Sequence, residues 1–77
     1  MNYKQAIAAA KRNVVVYENR HAYVCRDKDE FGREEFVVMS ACEYEEDVRA
    51  EEKCVAVLWS YMDAGAMKVA METQEDW

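Results

Sequence analysis

The feature that most constrains this chain is Ser40 followed three residues later by Glu43. In an S-x-x-E pattern each side chain satisfies an orphan backbone N–H at a helix start, so a helix begins at residue 40. At 100° per residue, Tyr44, Val48, Val55, Leu58, Trp59 and Met62 fall in a sector about 100° wide, while Glu43, Glu45, Glu46, Asp47, Glu51 and Glu52 mostly lie outside it. The pattern predicts one long surface helix, with Gly65 as its C-terminal cap. From Cys54 to Met62 apolar residues spread around the whole circumference, so this half is expected to be buried on more than one side or to carry an interface.

Upstream of Ser40 the pattern changes twice. Asn2 can cap a short helix whose apolar stripe is Tyr3, Ala6, Ile7 and Ala10. Val14, Val15, Val16 and Tyr17 then resist helix through lost χ1 freedom, which predicts a first strand from Asn13 to Glu18. A turn at Asn19 and Arg20 leads to a second strand, Ala22 to Arg26. The polar stretch Asp27 to Arg33, with Gly32, reads as a hairpin loop, and Glu34 to Met39 as the third strand. Met67, Val69 and Met71 alternate as a strand would, yet Met67, Ala70 and Met71 also fit helical spacing; a short helix is the reading adopted, with Gln74 to Trp77 fraying. The expected fold is α+β: one α-β-β-β-α domain spanning residues 1–77, a three-stranded antiparallel meander packed on two helices, with a short extra C-terminal element.

Size and composition bound what such a domain can do. At 77 residues, with 52% hydrophobic and 34% charged residues, no proline and two glycines, the chain is suited to a compact, soluble fold with a thin core. Cys25, Cys42 and Cys54 make an odd number with no CxxC spacing, which fits a reducing compartment. The longest apolar run near the start, Ala6 to Ala10, is too short for a signal segment or a membrane span, so a cytoplasmic protein is expected. A formal charge of -6 argues against direct binding to nucleic acid phosphates or an anionic membrane.

Catalytic and metal chemistry each meet a geometric objection. On one extended strand His21 and Cys25 stand about 13 Å apart, beyond the reach of a base for its nucleophile. Placed twelve residues apart on one helix, Cys42 and Cys54 are separated by about 18 Å and cannot share a zinc ion. Asp27, Asp29 and Gly32 match three positions of an EF-hand loop, but Phe31 and Val38 stand where oxygen ligands are required. No phosphate-binding glycine loop is present. A non-enzymatic protein without cofactor or metal is the expectation; a small cysteine-dependent enzyme or ligand sensor using Cys25 or Cys42 is the remote alternative.

The charge distribution points instead to a partner. Residues 1–26 carry a formal +4, residues 27–53 carry -7 and residues 54–77 carry -3. On the predicted helix, Glu43, Asp47 and Glu51 form a stripe repeating near 6 Å, and the six acids from Glu43 to Glu52 approach the charge density of duplex DNA, about one per 1.7 Å. Asp29 and Glu30 add a second cluster at the hairpin loop. The same acids also favour the helix dipole and keep an outer face solvated, which is their plainer use.

The predicted order resembles double-stranded-RNA-binding domains in topology, but Glu43, Glu45, Glu46 and Asp47 stand where such domains place phosphate-binding bases. The expected function is therefore a protein-interaction module with Asp29, Glu30, Glu43, Glu46, Asp47 and Glu51 as partner-binding residues. In its sharpest form it is a phage or mobile-element inhibitor, of anti-CRISPR or anti-restriction type, that binds a basic nucleic-acid-binding complex. Apolar residues on both faces of the predicted strands suggest the alternative, a structural or regulatory homodimer.

Overall fold

The computed structural model of the chain describes residues 1–16 and 21–73. Its elements are α1 (Tyr3–Val16), β1 (His21–Lys28), β2 (Glu34–Ser40), α2 (Ala41–Glu46), α3 (Ala50–Lys53), β3 (Cys54–Asp63) and β4 (Ala66–Thr73). The strands form one antiparallel sheet in the order β2-β1-β3-β4. The α+β class stands, but the sheet has four strands rather than three, and the helices lie on both of its faces. The likeness to double-stranded-RNA-binding topology therefore lapses.

Helix α1 starts as the sequence suggests. The Gln5 N–H donates to Asn2 Oδ1 at 2.8 Å, and the Asn2 N–H donates to Gln5 Oε1 at 3.0 Å, a reciprocal cap. The helix then runs on through Asn13 to Val16, where a strand was expected. Val14 extends the buried stripe of Ala6 and Ala10 by one more turn. Burying that side chain outweighs the modest helix cost of a β-branched residue, while Val15 and Val16 stay exposed. The remainder of the expected first strand and the turn at Asn19 and Arg20 lie outside the described residues, as do Gln74 to Trp77.

The first hairpin follows the expected pattern closely. Its loop is organised by Asp29, whose Oδ1 accepts from the N–H groups of Phe31 and Arg33, both at 2.9 Å. Gly32 supplies the positive φ of 76° that the turn requires. At the far end of β2 the capping box forms: the Glu43 N–H donates to Ser40 Oγ and the Ser40 N–H donates to Glu43 Oε1.

The long helix after Ser40 does not form. Helix α2 ends at Glu46, Asp47 turns to extended backbone at φ -93° and ψ 109°, and a single turn, α3, precedes β3. The all-round apolar character from Cys54 onward has a different cause from the expected one. The segment is a central strand flanked by β1 and β4, with α1 packed on one face of it, and its first half is buried as a central strand's is. Gly65 is not a helix cap. With Ala64 it makes a two-residue hairpin turn at φ 52° and 82°, the type I′ geometry whose twist matches the flanking strands. The tail is accordingly the strand β4, not a helix.

Two cores result from the alternation of side chains across the sheet. On one face Ala6, Ala10 and Val14 of α1 pack on Ala22, Val24, Val55, Ala56 and Leu58, with Tyr3, Ile7, Phe36 and Val38 around them. The small residues let the helix lie close to the sheet. A register shift between Val24 and Cys25 pairs Val24 with Ala56 and Cys25 with Cys54. The bulge at Val55 thereby turns both Val55 and Ala56 into this core. On the other face α2 and α3 cover β1 and β2, with Tyr44 on Tyr23 and the Cys25 thiol against the Ala50 carbonyl. Among the described residues no helix is long and apolar enough to cross a membrane.

Candidate protein-binding face

The sheet separates the chain's charges. Helix α1, on one face, carries Lys4, Lys11 and Arg12 and no acid. The α2–α3 segment, on the opposite face, carries six acids against Arg49 and Lys53. Distance and the intervening sheet keep these two layers from neutralising one another, so the molecule presents a basic and an acidic side.

The six expected partner-binding residues divide by what their carboxylates already do. Asp29 holds the hairpin loop, Glu43 closes the capping box, and Asp47 Oδ1 accepts from the Arg49 N–H at 2.9 Å, fixing the turn between α2 and α3. Glu30, Glu46 and Glu51 are exposed and take part in no side-chain hydrogen bond or ion pair among the described residues. Glu46 and Glu51 share the α2–α3 layer with Glu45 and Glu52, whereas Glu30 sits at the β1–β2 loop. Because the helix breaks at Asp47, the predicted helical stripe of Glu43, Asp47 and Glu51 does not exist. The acids are instead gathered by two short helices folded against β1 and β2.

The ion pairs of the described residues use none of this layer's acids. They join Arg26 Nε to Glu34 at 2.6 Å, Lys53 to Asp27 at 3.7 Å, Lys68 to Asp63 at 2.8 Å and the N-terminus to Glu35 at 4.0 Å. None uses one of the six candidate acids.

Beside the acids lies a row of rings that sequence reasoning missed. Tyr44 stacks on Tyr23 with centroids 3.9 Å apart, Tyr23 stands 6.3 Å from His21, and His21 stands 5.7 Å from Trp59, all near parallel. Tyr61 follows two residues after Trp59 on the same strand face and is exposed. Helical spacing places Trp59 in an apolar helix stripe, whereas the run of β-branched and aromatic residues at Val55, Val57, Trp59 and Tyr61 is the signal for a strand. Helices α2 and α3 stop over β1 and β2, so the β3 part of this row is open at its outer end.

The cysteines are placed differently from expectation. Cys42 is exposed on α2, whereas Cys54 opens β3 and pairs in register with Cys25, so the helical separation of Cys42 and Cys54 does not apply. Burial pushes the Cys25 thiol up to about 12, with the adjacent Cys54 adding to the effect. Burial also raises Cys54, whose Sγ donates to the Ala56 carbonyl at 3.4 Å, and raises the Tyr44 hydroxyl. Neither buried sulfur is a thiolate at neutral pH, the form that attack or metal ligation needs. No group of three or more His, Cys, Asp or Glu among the described residues is arranged to hold a metal ion.

Comparison with known proteins gives no match to a family model, to a curated protein or to a solved structure.

Proposed function

We propose that the chain is a non-enzymatic binding module that docks a cationic surface of another protein on its α2–α3 face. The observation that carries this reading is the net-negative layer on one side of the sheet, six acids against Arg49 and Lys53, with Glu46 and Glu51 exposed and unused by the fold. A negative surface speeds encounter with a positive one and fixes its orientation. The neighbouring rings of His21, Trp59 and Tyr61 supply what charge alone does not, large rigid side chains that gain affinity when desolvated at a contact.

Proteins that grip nucleic acid with Lys and Arg are the natural class of partner, because the acids of α2–α3 offer them a phosphate-like array. The sharper form of the proposal is an inhibitor carried by a phage or mobile element against such a complex, of anti-CRISPR or anti-restriction type. Small size and acidity support it.

Affinity capture on the immobilised chain, with duplex DNA as competitor, tests the reading. Captured protein should be a nucleic-acid binder, released by the duplex and lost when Glu46→Lys and Glu51→Lys are combined. Capture indifferent to both would refute it.

A further inference from the structure

We propose that the outer edge of β4 is a self-pairing edge, through which two copies of this chain join their sheets about a two-fold axis at Ala70. The two sheet edges are not equivalent. On β2 the Phe36 N–H is already taken by the Met1 carbonyl at 2.9 Å. On β4 no backbone hydrogen bond reaches the outer edge among the described residues. An open strand of eight residues without proline is a template for another strand.

The turn fixes which groups are on offer. In a two-residue hairpin the closing pair, here Asp63 and Ala66, exchanges hydrogen bonds, and the ladder then alternates. Ala66, Lys68, Ala70 and Glu72 therefore direct their backbone groups to β3. Met67, Val69, Met71 and Thr73 direct theirs outward. A symmetric antiparallel partner must match outward residues to outward residues, which leaves dyads at residues 68, 69, 70 or 71.

Charge chooses among these registers. A dyad at Lys68 sets two lysines against each other, and dyads at Val69 or Met71 set Glu72 against alanine. Only the dyad at Ala70 places Lys68 of each copy directly opposite Glu72 of the other, in the positions where side chains approach most closely. The small Ala70 lies on the axis. On the opposite face Val69 meets Met71 of the second copy twice, covering a methionine that is 47% exposed in the single chain. The product is a continuous eight-stranded sheet, with both α1 helices on one face and both acidic layers on the other.

Sedimentation equilibrium on the full chain from about 5 to 500 μM reads the association directly. The unmodified chain should dimerise. Glu72→Lys turns both ion pairs into repulsions and should weaken the dimer at least about tenfold; Lys68→Glu does the same and also gives up the pair that Lys68 makes with Asp63 within the chain. The combined K68E/E72K restores opposite charges and should recover dimerisation. Glu72 makes no side-chain hydrogen bond or ion pair within the described chain, so its reversal leaves the fold intact. Amide exchange gives a readout without substitution: Met67, Val69, Met71 and Thr73 should gain protection as concentration rises. A monomer throughout the range, or a dimer equally tight in either single variant, overturns the proposal. Since β4 lies at the sheet edge away from α2 and α3, either result leaves the acidic-face reading to stand or fall on its own test.

Discussion

Cys25 and Cys54 face each other across the β1–β3 ladder beside the bulge at Val55, and both thiols are buried. Two sulfurs side by side in a core this small tie the protein's stability to their protonation. The unfolded chain releases the Cys25 proton near 9.0, the ordinary thiol value, whereas the folded chain holds it to about 12. Above pH 9 the unfolded state binds fewer protons, so this contribution, complete below 9, is lost as pH climbs towards 12. Cys54 and Tyr44, also raised by burial, act in the same direction. The urea midpoint should hold from about pH 7 to 9 and fall beyond it, less steeply in Cys25→Ala. An identical fall in that variant would assign the effect elsewhere.

The same placement predicts the pattern of thiol labelling. Cys42 is exposed and should react with an aromatic disulfide reagent within the mixing time of a stopped assay at mildly alkaline pH. Cys25 and Cys54 should react only as the sheet opens, at rates that rise with denaturant. A second fast equivalent would contradict the burial of the pair.

Ala64 is the only described non-glycine residue at positive φ, 52°. A Cβ in that conformation costs roughly 1 kcal/mol, which glycine avoids and asparagine offsets through local hydrogen bonding of its side-chain amide. Ala64→Gly should therefore raise stability by about 1 kcal/mol, and Ala64→Asn by a similar amount, in a urea titration. No Cβ at Gly65 would meet a neighbouring atom within 4 Å, yet its φ of 82° makes Gly65→Ala destabilising by conformation alone. Equal stability of all three variants would show that the turn is not type I′.

How much of this was legible in the sequence varies along the chain. The reciprocal caps at Asn2 and Ser40 and the hairpin around Asp29 follow from short-range chemistry, and local patterns record such chemistry faithfully. In the second half Tyr44, Leu58, Trp59 and Met62 satisfy a 100° period by coincidence, which mimics a helix. No glycine or proline lies between Ser40 and Gly65 to mark the break at Asp47. From Cys54 onward apolar residues lie all round, and a buried helix and a central strand look alike by that measure. For the binding face the acids were readable as residues. That Asp29, Glu43 and Asp47 are committed to backbone N–H groups, and that His21 stacks with Trp59, emerges only from the folded register.

Ser40 offers a local check on the acidic layer. Its Oγ anchors α2, so Ser40→Ala should cost about 1 kcal/mol and loosen the segment that carries Glu43 to Asp47. Amide exchange at Glu43 should accelerate in that variant while the β1–β3 core keeps its protection. Unchanged exchange at Glu43 would mean the cap does not hold the helix.

In the proposed function, negative potential at α2–α3 draws a cationic partner. The most direct test is the salt dependence of affinity for the captured partner, measured for the unmodified chain and for E46K/E51K. The prediction is a loss of at least about tenfold between 50 and 300 mM salt, with a further loss and a shallower slope in the variant. An affinity indifferent to salt and equal in both proteins would contradict it.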